Sequence, residues 1–566
     1  MQIFQKSVID SFKQDEAKVA LRFAEYQKYK AKSDAIKGFK EEEYQDGFLT
    51  DIFQNCLGYM LKTNNPNSYN LSREKKNETD GKKADGAIYV NNEVVGIIEL
   101  KDCKSKNLDL IEAQAFNHHS SHTSSKYIII SNFNELRFYI DKKTSYEKFN
   151  LFNLSYEDFK KLHLILSCES IKDNLPLILK EKSNNFEAEI TNNLYKDYKA
   201  LRGVLFENLC KNNETIEKTE LLKATQKLLD RLVFIFFAED TGLIPANSIA
   251  KIIDIYTKNW IYEPLYNYYK IYFEAIDKGN ERTGIRLGYN GELFKRNDFL
   301  DALKIDDFVL NEFALKISNY NFKSDVSVNI LGHIFENSLT ELEELKADIQ
   351  NSAFDSKKSK RKKDGIFYTP EYITRYIVDN TLGVLCNEYK ANNKLETKED
   401  LDNYRKWLLG LKIIDPACGS GAFLNQALEY LIKEHNFLNA LYHDIAQNSK
   451  KKTTLLDYDY QEAFILQNNL YGVDINEEAV EIAKLSLWLR TAQCGQKLVN
   501  LSDKIVCANS LLNMPFEENS FDVVIGNPPY ARQEAIKDIK PLLEEKYQVY
   551  SGTADLYVYF YELAYK

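Results

Sequence analysis

Residues 411–423 read LKIIDPACGSGAF, and the stretch that follows, LNQALEYLIK, places apolar residues every three to four positions. A short β-branched run, a glycine-containing turn and an amphipathic helix form a strand–turn–helix pattern. Gly419 and Gly421 allow the chain to turn sharply and its backbone to approach a ligand closely. The spacing is not GxGxxG, which sets this loop apart from the dinucleotide fingerprint. Three further apolar runs follow: NLYGVDI (469–475), KIVCA (504–508) and FDVVIG (521–526). Each ends in a polar or small residue, and helical patterns separate them. The alternation predicts a doubly wound parallel sheet over 356–566, with ligands bound beyond the carboxyl ends of its strands.

The unusual residues fall at those ends. Asp474 closes the second strand, where an acidic side chain can accept hydrogen bonds from two ribose hydroxyls. Asn509 follows the third. The fourth runs into Asn527-Pro528-Pro529-Tyr530. An exocyclic amine on a purine ring is a poor nucleophile because its lone pair is delocalised. The Asn527 side-chain oxygen and the Pro528 carbonyl can accept both of its N–H groups and draw the nitrogen toward tetrahedral geometry. That is positioning and electrostatic preorganisation, and it needs no general base. The prolines stiffen the loop, and Tyr530 offers a flat face on which an extruded base can stack.

At 566 residues the chain is too long for one core, and three or four domains are expected. Its hydrophobic fraction of 44% and charged fraction of 28% are those of a globular protein. No apolar run approaches the roughly 18 residues needed to span a bilayer, and the N-terminus does not read as a signal peptide. No membrane partner is expected, and cytoplasmic residence is the default. The eight cysteines are scattered without a CxxC pair, so reduced thiols are expected. His118, His119 and His122 read as decoration of one helix, because no cysteine or carboxylate beside them completes a ligand set. A formal net charge of −10 neither announces nor excludes nucleic-acid binding, which needs only a local basic surface. The dense run KKSKRKK (357–363) fits a phosphate contact.

Upstream, 1–150 reads as one α/β domain and 151–355 as a helical connector. Residues 1–65 have helical periodicity. Over 84–140 the texture becomes strand–strand–helix–strand–strand, and Asn91-Asn92 tolerates the positive φ of a tight hairpin. In the connector, LLKATQKLLDRLVFIFFAED (221–240) is a strongly apolar helix that GLIP (242–245) stops. Glu99 and Lys101, two apart on a strand, share a face, and the hairpin can bring Asp85 beside them. Two carboxylates and a lysine suit phosphodiester hydrolysis, with Asp85 and Glu99 holding Mg²⁺.

DGIFYTPEYITRYIVDNTL (364–382), DPACGSGAF, GVDIN, ANSLL and NPPY stand in the order found in the gamma class of amino-methyltransferases, which this region resembles. The resemblance implies S-adenosylmethionine as cofactor. It implies Tyr368 and Thr369 at the methionine end and the loop Asp415, Pro416, Ala417, Gly419 and Gly421 along the cofactor backbone. Asp474 would take the ribose and Ile475 would pack on the adenine ring. Asn509 would stand at the adenine edge, where the family often has Asp. Asn at the first position of NPPY favours adenine over cytosine as the methylated base. The pattern D-x13-E-x-K resembles the PD-(D/E)xK nucleases, with Ala84 in place of Pro. It implies Gln114 on the following helix and a further carboxylate from the preceding helix, Glu43 or Asp51.

Together the segments resemble type IIG restriction–modification enzymes. The fold implied is multi-domain α/β: a PD-(D/E)xK-like nuclease, a helical connector and a Rossmann-like methyltransferase lacking its last strands. Double-stranded DNA is the implied partner, with a target-recognition domain that is missing or supplied separately. Two alternatives stand beside this reading: a catalytically silent DNA-binding or defence-complex subunit, and a protein glutamine methyltransferase, which also uses NPPY.

Overall fold

A computed structural model of the chain describes residues 3–76, 83–105, 108–259, 262–286, 288–289, 293–322, 325–326, 328–349, 369–448, 461–493 and 496–566. They divide into two units, Met1–Ile190 and Thr191–Lys566.

The first unit is built on one six-stranded sheet in sequential order: β1 (Leu71–Lys76), β2 (Lys83–Val90), β3 (Glu93–Leu100), β4 (Tyr127–Ser131), β5 (Glu135–Ile140) and β6 (Lys142–Asn150). All neighbours are antiparallel except β3 and β4, which run parallel and are joined through the helix Asp109–Ser120. Asn91 and Asn92 take φ of 51° and 66°, closing the β2–β3 hairpin with Val90 opposite Glu93, as their dipeptide predicts. β1 and β6 were not expected. LSREKK and KKTSYEKFN carry too many charges to show an apolar alternation, which is the chemistry of strands at a sheet edge.

The division differs from the boundary expected at residue 150. Helix Tyr156–Leu166 sends Phe159, Leu162, Ile165 and Leu166 into the same core as Phe53, Leu100, Ile129 and Phe138. That shared burial extends the first unit through Ile190.

In the second unit the expected parallel sheet is present. β7 (Ile413–Asp415), β8 (Leu470–Asp474), β9 (Ile505–Cys507) and β10 (Val523–Val524) lie in the order β10-β7-β8-β9, every pair parallel. Helices Ala422–Asn448 and Glu477–Thr491 make the crossovers. A Cβ on Gly472 would lie 2.9 Å from Leu424 Cδ1 and 3.0 Å from Cys418 Sγ, so the first crossover helix packs directly on β8. Order reverses between β7 and β10, and the loops leaving those two strands open the crevice in which such sheets bind ligands.

The connector helix Lys218–Thr241 ends where GLIP predicts, capped by Gly242 at φ 80°. It does not form a separate body. This helix and Val328–Ile349 pack on Glu477–Thr491, and Lys227 pairs with Glu481 at 3.3 Å. Connector and sheet therefore share one unit. Among the described residues no helix is long and apolar enough to cross a membrane.

The hairpin supplies a stability prediction. Asn92→Val places a β-branched residue at positive φ and is expected to destabilise the chain by about 1–2 kcal/mol. Asn92→Gly relieves that strain and should unfold within about 1 kcal/mol of the parent. Urea denaturation of both variants checks the difference.

Candidate active sites

At the carboxyl ends of the parallel strands lies a cavity of about 370 Å³. Of the residues expected to bind a cofactor, Thr369, Asp415, Pro416, Ala417, Gly419, Asp474, Ile475 and Asn509 line it, together with Asn527 and Pro529 of the tetrapeptide. Gly421 stands behind this wall at φ 84°, where its N–H donates to Cys418 O (2.8 Å) and turns the loop into the helix. Tyr368 and the basic run 357–363 lie outside the described residues.

The loop after β7 is held from both sides. Ala417 N donates to Asp415 Oδ1 (3.0 Å), Cys418 N to Val473 O (2.9 Å) and Gly419 N to Asp474 Oδ2 (2.9 Å). Asp474 Oδ1 accepts from Asn476 N at 2.8 Å, so its carboxylate is fixed at the cavity wall. A carboxylate at that wall is an acceptor chemically suited to hydroxyl groups. Asp415 is buried, and burial pushes its carboxyl up to about 8, with the Asp474 charge adding in the same direction. Asn509 Oδ1 accepts from Leu511 N (3.1 Å) and Leu512 N (3.2 Å), holding its amide in the turn after β9. Ile475 is exposed and presents an apolar surface at the cavity.

β10 lies against β7, with Ile525 N donating to Ile414 O at 2.9 Å. That pairing brings Asn527 beside the glycine loop. A Cβ on Gly526 would lie 2.6 Å from Asp415 Oδ1, so only glycine fits between the two strand ends. Asn527 Nδ2 donates to Thr369 Oγ1 at 3.1 Å. Tyr530 is half exposed, its ring centroid 5.5 Å from that of Tyr557. Sequence reasoning did not find the apolar wall formed by Ile536, Leu556 and Phe560, because nothing in their local pattern says that the chain folds back over the cavity.

The first unit carries the second constellation. Gly86 pairs with Ile98, so the next position outward sets Asp85 across from Glu99. Asp85 Oδ2 accepts from Leu100 N (2.7 Å) and Oδ1 from Gln45 Nε2 (3.3 Å). Glu99 is buried, and Gln114 Nε2 donates to its Oε2 at 3.1 Å. Burial, then the Asp85 charge, pushes the Glu99 carboxyl up to about 8, and burial also raises Asp85.

Neither helix carboxylate proposed from the sequence joins this group. Glu43 turns back on its own helix and accepts from Lys40 N (2.7 Å), while Asp51 binds Tyr44 Oη (2.6 Å) and Lys32. Glu41 arrives instead, with Lys101 Nζ 3.0 Å from each of its oxygens. His118 departs from the expectation that no carboxylate stands beside it. It is buried one turn after Gln114, with Nε2 3.3 Å from Glu99 Oε1. The Gln114–His118 spacing of one helical turn was the available signal.

Among the described residues no group of three or more His, Cys, Asp or Glu side chains forms a metal cluster. The chemistry of the Asp85–Glu99 pair nonetheless fits a divalent cation. Two adjacent carboxylates disfavour each other's ionisation, and burial disfavours the charge on Glu99 further. A cation would relieve both.

Residues 468–566 match the family described as Eco57I restriction-modification methylase. Over 430 residues the chain is 27% identical to the putative type II restriction enzyme and methyltransferase RM.MjaORFECS2P of Methanocaldococcus jannaschii, covering 66% of this chain and 33% of that protein. It is 25% identical over 313 residues to the type II restriction enzyme and methyltransferase RM.Eco57I of Escherichia coli, covering 48% and 29%. It is 26% identical over 361 residues to DNA methyltransferase A of Bacillus subtilis, covering 58% and 36%. The chain thus spans about a third of the length of these relatives. Among solved structures, the type IIL restriction-modification enzyme MmeI in complex with DNA aligns with a TM-score of 0.47 at 21% identity, covering 65% of this chain and 48% of that one.

Two expected outcomes follow from the geometry. Gly526→Ala forces β7 and β10 apart at Asp415 and should destabilise the second unit by about 1–3 kcal/mol, read as a lowered melting temperature. For Glu99, the folded chain holds a proton that the unfolded chain releases near the ordinary value of 4.5, so stability falls as pH rises from there through about 8. In EDTA, Glu99→Gln should flatten that decline and raise stability at pH above 8 by on the order of 1 kcal/mol, measured by urea unfolding.

Proposed function

We propose that this chain transfers a methyl group from S-adenosylmethionine to N6 of adenine in double-stranded DNA, and that its first unit is a linked Mg²⁺-dependent endonuclease centre. The observation that carries the first part is the meeting of the Asp474 carboxylate and the Asn527 amide on the walls of one cavity, at the ends of β8 and β10. The family match over 468–566 and the restriction–modification relatives support the same reading.

When bound, S-adenosylmethionine supplies an electrophilic methyl on a sulfonium. The chain's own residues do the rest. Asp474 receives the ribose hydroxyls, the backbone of Ala417–Gly419 follows the cofactor, and Ile475 covers a face of its adenine. Asn509 stands at the adenine edge. Asn527 Oδ1 and the Pro528 carbonyl accept the two N–H groups of the substrate amine and direct its lone pair at the methyl. Pro528 and Pro529 keep that loop from relaxing, and Tyr530 stacks on the extruded base. Transfer would exchange the sulfur–carbon bond of the bound cofactor for a nitrogen–carbon bond, and the surplus proton on nitrogen would pass to water.

In the first unit, Asp85 and Glu99 would hold Mg²⁺, which lowers the pKa of a bound water and offsets charge on phosphate. Gln114 orients Glu99. Lys101, held by Glu41, would be the cation beside the attacking water.

Incubation with unmethylated DNA and labelled S-adenosylmethionine should place label on adenine N6. Asn527→Ala should reduce the rate by about 100-fold or more. Label on protein glutamine, or none on DNA, would sink the reading. Cleavage should require Mg²⁺ and be lost in Asp85→Ala and Lys101→Ala, with methyl transfer retained. Metal-independent cleavage, or none by the parent, would remove the nuclease from the proposal.

A further inference from the structure

Thr369, Ser420 and Ala422 line the large cavity at the strand ends, and the same three residues line a second, smaller cavity of about 50 Å³. The walls of the smaller one include Glu371, Asn425 and Arg490, carried by the helices Glu371–Asp379, Ala422–Asn448 and Glu477–Thr491. Burial disfavours both charges: it raises the Glu371 carboxyl, with Glu429 adding to the rise, and lowers the Arg490 guanidinium. Arg490 Nη1 stands 3.6 Å from Glu429 Oε2, longer than the roughly 2.8 Å of a charge-assisted hydrogen bond. Asn425 gives an independent sign. Its Nδ2 donates to Gly421 O (2.9 Å) and to Ser486 Oγ (2.7 Å). A backbone carbonyl can only accept, so the bond to Gly421 fixes which end of the amide is the nitrogen. Asn425 is 7% exposed, and its Oδ1 is a buried acceptor that meets no donor among the described residues.

We propose that the smaller cavity is the subsite for the amino acid end of the cofactor, with Arg490 taking its α-carboxylate and Glu371 and the Asn425 oxygen taking its α-ammonium. This rests on the S-adenosylmethionine reading above. A nucleoside alone has no use for such a lining, since the base and ribose are provided for by Ile475 and Asp474 in the larger cavity. The cofactor adds a carboxylate and an ammonium on one carbon, and a cavity that offers both signs of charge suits a zwitterion better than a plain anion or cation. By the roughly 10–15 Å³ that one water occupies, the space takes a few non-hydrogen atoms and no more. An ammonium there would also satisfy the Asn425 acceptor, whose unmet state carries a desolvation cost. The shared wall of Thr369, Ser420 and Ala422 makes the two cavities neighbours, as one molecule occupying both requires.

The test compares two ligands by calorimetry on the full chain. S-adenosylhomocysteine carries the amino acid end, and 5′-methylthioadenosine keeps the nucleoside and sulfur but lacks it. The parent should bind the first more tightly. Arg490→Gln and Glu371→Gln should each weaken S-adenosylhomocysteine by about 10-fold or more and change 5′-methylthioadenosine by no more than about 2-fold. Equal losses for the two ligands would make the residues structural supports and overturn the proposal. Unchanged affinity for S-adenosylhomocysteine would overturn it as well, as would a parent that binds both ligands equally. Glu371→Gln preserves shape at a half-buried position, so it decides the matter if Arg490→Gln does not fold. A parent that binds neither ligand sinks the cofactor reading and the subsite with it, whereas a parent that binds both and variants that do not discriminate sink the subsite alone.

Discussion

Buried Asp415 at the end of β7 and Gly526 at the end of β10 approach so closely that a single added carbon would lie 2.6 Å from the carboxyl oxygen. This contact, at the reversal of strand order, sets the second unit's site. It brings the glycine loop and NPPY to adjacent strand ends, one element suited to a cofactor and the other to an amine. The wall opposite is supplied by Asp474 and Asn509 from the next two strands. No one of these residues is unusual by itself. Their convergence follows from four parallel strands whose loops all open on the same edge.

The first unit solves a different electrostatic problem. Register across the β2–β3 hairpin sets Asp85 opposite Glu99, and the sheet buries Glu99 completely. Burial disfavours the charged form and the neighbouring Asp85 charge adds to that, which is why Glu99 is pushed far above its ordinary range. The surrounding side chains only partly compensate. Gln114 donates to one Glu99 oxygen and His118 Nε2 lies 3.3 Å from the other, Gln45 and Leu100 N donate to Asp85, and Lys101, paired with Glu41, favours the charge on both carboxylates. A cation would ease that cost, and this is the physical basis of the metal role proposed for the pair.

Helical phase separates what was legible near that centre from what was not. EEEYQDGF offers three consecutive glutamates, and no local rule says which one the fold uses. Once the helix is docked, Glu41 and Gln45, one turn apart, both reach the sheet, while Glu43 closes its own capping interaction. His118 reads from the sequence as mere decoration of its helix for a similar reason, since a histidine on a helix acquires a role only when the strand beneath it is known.

The sequence by itself determined the elements and the chemistry carried at their ends. The Asn91-Asn92 hairpin, the parallel strands closing at Asp415, Asp474, Asn509 and Asn527, and the stop at Gly242 all depend on backbone preferences acting over a few residues. Tertiary structure alone decided the rest: the charged edge strands β1 and β6, the helices up to Ile190 that share the first core, Glu41 in place of Glu43 or Asp51, and the bond from Thr369 to Asn527. Each of these joins residues far apart in the chain, and such contacts are set by packing and register, which no local pattern encodes.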